Sequence, residues 1–354
     1  MNLNLNSCLS VFFILLLTAC QPSEKDPELY QQQLFTFGTL VDISLLSDDP
    51  EQAQQVIDEI SSEFDYLHTE WHPWKDGALG QANKRFSSSE TFISSSSVIK
   101  LIQDSQLLSE KSNGLFNPAI GQLVKLWQFD QIENENYQFK LPEQKIIQRL
   151  LAQHPQMKDI LIQNEMITSN NPATSLDFGA FAKGVAIEKM ISLLKKHHID
   201  NALINAGGDL KVLGSKNGKA WKIGIKNPAN AQNPTEKAII AAISLKDNEA
   251  LFTSGDYERF FEFQGKRYHH IIDPRTGYPA TGTQSVTVLA EDAALADAAS
   301  TALFIAGPEL WPEIARKLGI LYVMLISDSG EIFLTQTMAD RIELFTDIKP
   351  IIIK

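Results

Sequence analysis

The sequence predicts one large, two-lobed α+β domain, and three observations lead there. Its composition is that of a globular chain, with 44% hydrophobic and 21% charged residues over 354 positions, far from the low hydrophobicity of disordered chains. Helix-like and strand-like patterns are mixed without a regular strand–helix–strand repeat. No internal repeat and no linker-like stretch follows residue 30. The length alone allows one large domain or two of roughly 100–200 residues each, and the unbroken patterning favours one.

Val11 to Leu17 are seven apolar residues, too few for a bilayer-spanning helix of about 20 and suited to the apolar core of a secretion signal. Leu17-Thr18-Ala19-Cys20 resembles the bacterial lipobox, although the preceding residues include no Lys or Arg. The expectation is a signal peptide at 1–19, a lipidated Cys20 opening a tether at 20–33, and a globular domain at 34–350. A plain signal peptide with a chance cysteine is the alternative. The product would be a lipoprotein on the periplasmic face of the inner or outer membrane, with Gln21 favouring the outer.

Residues 35–46 read as one strand with Gly38 in its early half. Helices are expected at 50–68, where Val56, Ile57, Ile60 and Phe64 share a face, and at 97–110 after a Ser-rich cap. Further helices are expected at 142–154 and 181–196, the latter with Ile187, Met190, Ile191 and Leu194 on one side. Strand patterns follow at 202–205, 221–226, 238–245, 257–263, 268–272 and 285–289. Two helices, 293–305 and 308–318, then precede a hairpin at 320–326 and 331–335.

Charge and cysteine usage remove whole classes of function. With 43 acidic and 31 basic side chains the net charge is −12, which argues against a nucleic-acid partner, since that needs a basic stripe. The two cysteines are Cys8 and Cys20, so the body has no disulfide scaffold, thiol nucleophile or Cys-ligated metal. Gly214-Ser-Lys-Asn-Gly218-Lys219-Ala220 is one residue short of a phosphate loop and has Ala where the magnesium-binding hydroxyl belongs. A turn between strands accounts for it better.

Four polar clusters remain. Asp177-Phe-Gly-Ala-Phe-Ala-Lys183-Gly184 leads into a helix, where free N–H groups and a lysine attract anions; an Asp-capped helix with a solvated lysine is the plainer account. Asn205-Ala-Gly-Gly-Asp209 reads as a turn. Thr253-Ser-Gly-Asp-Tyr-Glu-Arg259 and His269-His-Ile-Ile-Asp-Pro-Arg-Thr-Gly277 are dense in groups that bind phosphate or move protons. Adjacent histidines on a strand point to opposite faces, so at most one should face a cleft. In Ala293-Ala-Leu-Ala-Asp297-Ala-Ala-Ser300-Thr301 the acid and hydroxyl lie one turn apart. Such a pair suits a hard cation such as Mg²⁺, or simply a solvated helix face.

In order, these segments resemble the ApbE-type flavin transferases, the FAD:protein FMN transferases. The resemblance extends from Phe37-Gly38-Thr39 past Gly307 and includes Phe116-Asn-Pro-Ala-Ile-Gly-Gln-Leu-Val-Lys-Leu-Trp127. It implies FAD as substrate and transfer of FMN to a threonine hydroxyl of a target protein, with release of AMP. It also implies Mg²⁺ held by Asp297, Thr301 and the Ala180 carbonyl, with any role of Ser300 left open, and His270 as general base. The implied FAD contacts are Phe37, Trp71, Gly114, Leu115, Phe116, Asp177, Lys183 and Ile272. Trp74 competes with Trp71 for the aromatic position. Phe37 stands where the family usually has methionine, and Asn117 where aspartate is common. The implied acceptors are subunits of Na⁺-pumping NADH:quinone oxidoreductase or Rnf-type complexes. An FAD pyrophosphatase and a non-catalytic FAD-binding lipoprotein are the alternatives.

Overall fold

A computed structural model describes residues 27–132, 134 and 136–354. The expected signal peptide, Cys20 and most of the tether lie outside the described residues. Within the described part, Glu28–Thr36 is already a strand, so ordered structure begins inside the stretch expected as tether. At the other end it runs to the short strand Ile351–Ile353, past residue 350.

The frame is a nine-stranded sheet. Its spatial order is Glu28–Thr36, Thr39–Ser47, Ala202–Ala206, Asp209–Leu213, Ala250–Gly255, Thr283–Ala290, Tyr322–Ser327, Ile332–Thr335 and Ile351–Ile353. Every neighbouring pair is antiparallel except the last. That arrangement, with the longest helices packed on one face, is α+β architecture. Strand alternation divides the sheet's contacts. Val41, Ile43, Leu45, Phe252, Val286 and Val288 pack under the helices, while Leu210, Val212, Leu251 and Leu289 pack against a second sheet. The second sheet comprises Trp221–Lys226, Ile239–Leu245 and Ile342–Leu344.

The expected single strand at 35–46 instead straddles a hairpin turn, with 35–36 ending one arm and 39–46 lying in the other. The chain reverses at Phe37 (φ 52°) and Gly38 (φ 70°), with Thr36 paired to Thr39. Positive φ at both central residues is what a tight two-residue hairpin requires. Phe37 is the residue that hides the turn from a pattern reading, since a bulky side chain rarely adopts that conformation.

Helix Pro50–Glu70 starts on Asp49, whose Oδ1 accepts from the N–H groups of Glu51 (2.9 Å) and Gln52 (3.1 Å). The two expected helices at 293–305 and 308–318 are present within Ala293–Leu318, separated by a kink at Gly307, whose backbone is non-helical (φ 70°). Pro308 has no N–H to offer the preceding turn and opens the second segment. The Asp-Pro-Arg-Thr-Gly turn supports that break. Asp273 grips Arg275, whose guanidinium donates to the Ile305 carbonyl at 3.0 Å. Several short elements lack a clear sequence pattern, among them helix Ala78–Phe86 and strands Asp209–Leu213 and Ala250–Gly255. The strand pattern at 257–263 shortens to Phe260–Phe263, and that at 268–272 shifts to Lys266–His269.

A third apolar cluster stands beside the main core. Trp127, Phe129, Ile147 and Ile272 are buried there, with Phe139, Phe261 and Tyr268 packed around them. Among the described residues no helix is long and apolar enough to cross a membrane.

Candidate active site

The site forms where two helices cross. Gly184, in the first turn of helix Ala182–Lys196, lies so close to the start of the alanine-rich helix that a Cβ would collide with the Ala293 carbonyl. This approach carries Asp297 to the N-terminus of the other helix, where its Oδ2 accepts the Gly184 N–H at 2.9 Å. Phe181 supplies no side-chain cap there. A residue 113 positions away therefore satisfies a donor that helix geometry leaves unpaired.

Burial pushes the Asp297 carboxyl up to about 7, helped by Asp209, even though Lys183 and the Gly184 N–H favour its charge. Its ionised form is thus under-compensated by the protein's own cations. Lys183 is shared with Asp209, to which its Nζ is directly paired. Although burial works against the ammonium, Asp209 and Asp297 together hold it above the usual lysine range. Asp209 in turn accepts the Thr253 N–H at 2.9 Å.

The two histidines part where their strand ends, at His269. His269 is buried, with Nε2 bonded to the Ala280 carbonyl at 2.8 Å and Nδ1 accepting the Ile271 N–H. Its pKa falls to about 4 because burial disfavours the charged ring. His270 stays partly exposed. Its Nδ1 lies 3.3 Å from the Arg259 carbonyl. A carbonyl only accepts, which assigns the proton to Nδ1 and leaves Nε2 as a free base. Burial, then Arg259, His269 and Lys183, hold this ring well below the ordinary histidine range.

Asp177 sits one turn ahead of the helix, with Oδ1 accepting the Gly179 N–H at 2.8 Å. Burial raises its pKa, opposed by that N–H and by Arg259. Arg259 acts on Asp177, Lys183 and His270, and Lys183 in turn on His270 and Asp297, which ties the four into one electrostatic neighbourhood. Thr301 joins it through Ser254, whose Oγ lies 3.1 Å from Thr301 Oγ1. Ala180 is half-buried immediately before the helix.

The other expected residues surround this centre. Phe37 is half-buried, its N–H donating to His68 Nδ1 at 3.2 Å and its ring edge-on to Trp71 at 6.3 Å. Trp71 is buried and donates Nε1–H to Ser97 at 3.2 Å. Trp74 is half-buried beneath the Lys125 ammonium. Gly114 turns with φ 77°. Leu115 and Phe116 behind it are buried, and Phe116 lies 5.7 Å from Phe181 at the loop before the helix. Ile272 belongs to the separate Trp127 cluster. Asn117 supports its turn, accepting from the Ala119 N–H and donating to the Pro155 carbonyl.

Three residues escaped individual assignment from sequence: Asp209, Ser254 and Arg259. Each lies inside a polar motif, yet only their partners reveal what they do. Ser300, whose role was open, is buried and donates to the Asp297 carbonyl at 2.9 Å.

A buried carboxyl at the crossing and a hydroxyl one turn further along the same helix are donor types that a hard cation takes. No group of three or more His, Cys, Asp or Glu forms a metal cluster among the described residues, so a cation here would rest on this mixed set.

Comparison with known proteins identifies the family of the chain. The ApbE family profile matches residues 37–324. The FAD:protein FMN transferase of Rhodobacter capsulatus is 37% identical over 312 residues, which are 88% of this chain and 58% of that protein. That of Treponema pallidum is 32% identical and covers 76% of both chains. Among solved structures, the ApbE protein of Thermotoga maritima superposes with a TM-score of 0.79 at 30% identity, covering 89% of this chain and 99% of its own. The flavin transferase ApbE of Vibrio cholerae gives 0.77 at 25% identity, with 89% and 99% covered.

Proposed function

Because this chain belongs to the ApbE family and is an FAD:protein FMN transferase, we propose that it uses Mg²⁺ to move FMN onto a threonine hydroxyl. The observation that carries this reading is the convergence of Asp297, Gly184, Lys183 and Asp209, with His270 beside them. A bond forms between the threonine oxygen and the FMN phosphorus. The bond from that phosphorus to the bridging oxygen breaks, and AMP leaves with that oxygen.

A threonine hydroxyl is a weak nucleophile, and the diphosphate it attacks is anionic, so positioning and charge neutralisation carry most of the catalysis. Nε2 of His270 takes the hydroxyl proton. Lys183 presents positive charge to the phosphates, and Asp209 holds it in place. Asp297, Thr301 and the Ala180 carbonyl would hold Mg²⁺. When bound, that ion supplies positive charge to the diphosphate. Phe37 and Trp71 form an aromatic wall for one ring system of FAD, while Gly114, Leu115, Phe116, Asp177 and Ile272 contribute the remaining contacts.

The acceptors we propose are periplasm-facing subunits of Na⁺-pumping NADH:quinone oxidoreductase or Rnf-type complexes, with the enzyme held at the membrane by a lipid on Cys20. The lipobox-like run supports the anchor, and loss of membrane association in Cys20→Ala is its test.

The transfer is tested by incubating the protein with FAD, Mg²⁺ and a threonine-containing acceptor peptide. A Mg²⁺-dependent mass gain of one FMN, with equimolar AMP, is expected. AMP without any mass gain would replace transfer by hydrolysis, and FAD binding with no AMP would leave only a carrier.

A further inference from the structure

Ser254 lies on strand Ala250–Gly255 and faces the alanine-rich helix, with Oγ 2.9 Å from Ser300 Oγ and 3.1 Å from Thr301 Oγ1. Each hydroxyl carries one proton, which decides the direction of every bond in the chain. Ser300 spends its proton on the Asp297 carbonyl, which can only accept. In the Ser254–Ser300 contact, Ser254 must therefore donate. Its single proton is then committed, so Thr301 is the donor in the Ser254–Thr301 contact. The Thr301 proton points inward to the sheet, and its remaining lone pairs are left for a partner that accepts no proton.

From this order we infer that Ser254 is the positioning residue that makes Thr301 a ready acceptor-only ligand for a divalent cation. The inference rests on the Mg²⁺ reading above and adds a residue to it. Without Ser254 the Thr301 hydroxyl is free to rotate and turn its proton outward. An outward proton repels a cation and offers itself to a phosphate oxygen instead. Groups that orient a metal ligand from behind affect affinity by about 10–100-fold when removed.

The experiment titrates Mn²⁺ into the full-length protein without FAD, following free Mn²⁺ by electron paramagnetic resonance. Ser254→Ala is expected to weaken binding about 10-fold while its thermal unfolding stays near that of the parent. Ser254→Thr, which keeps the hydroxyl on a strand, is expected to restore it. In a Thr301→Val background, Ser254→Ala should add nothing further. Unchanged Mn²⁺ affinity in Ser254→Ala, with Asp297→Asn and Thr301→Val both weakened, overturns the role of Ser254 and leaves the cation site standing. Unchanged affinity in all three, or no Mn²⁺ binding by the parent, overturns both.

Discussion

Asp297 caps one helix and, in the proposed mechanism, holds the cation. As a cap it satisfies the Gly184 N–H, a contribution of about 0.5–2 kcal/mol. Against that stands the cost of a buried acid whose pKa is raised to about 7. Asp297→Ala removes both, so its fold should survive while activity falls by at least about 100-fold. Turnover assays beside circular dichroism test this, and full turnover at ordinary Mg²⁺ removes the metal assignment. His270 differs because the proposed mechanism gives its Nε2 only proton transfer to perform. His270→Gln should lower kcat by about 10²–10⁴-fold and leave FAD affinity nearly unchanged. Equal losses in both contradict a base role. The residue-level chemistry was partly legible beforehand, since Asp297 and Thr301 stand four apart on a helix. What sequence could not supply was direction: whether that pair faces water or the start of another helix.

At the level of elements, the decisive contact is one glycine wide. Gly184 allows helix Ala182–Lys196 and the alanine-rich helix to meet, and the small residues Ala293 and Ala294 form the opposing surface. Gly184→Val forces the helices apart and should cost about 1–3 kcal/mol, with Mn²⁺ affinity falling in parallel as Asp297 retreats. Urea unfolding and Mn²⁺ titration of this variant check both parts. Unchanged stability shows that the crossing tolerates separation. The helices themselves were readable from 3.6-residue spacing and end signals, including the break at Gly307 followed by Pro308. The hairpin at Phe37 was not, because its left-handed turn carries an aromatic residue where glycine or asparagine would announce it.

Across the whole molecule, buried titratable groups pull in opposite directions on acidification. His269 and His72 are both drawn down to about 4 by burial. Between pH 6.5 and 4 the unfolded chain binds their protons and the folded one does not, so they remove stability as pH falls. Asp297 and Asp256, raised by burial to about 7 and about 6, do the reverse: above pH 4 the folded state holds protons that the unfolded state has lost. Removing one acid should expose the histidines. In EDTA, Asp297→Ala is expected to lose more stability than the parent between pH 7 and 4.5, measured by urea unfolding at each pH. An equal or smaller loss sinks this balance.

The amino-acid order by itself determined the α+β class, most long helices and strands, and the short polar runs in which the chemistry is written. These follow from interactions among near neighbours: side-chain periodicity, caps, and residues that tolerate or refuse a turn. Tertiary structure alone decided that Asp297 reaches Gly184, that Lys183 pairs with Asp209, and that Ser254 stands behind Thr301. Those partners are 113, 26 and 47 positions apart. No local pattern encodes such distances, because it is the packing of helices on a twisted sheet that brings the groups within hydrogen-bond reach.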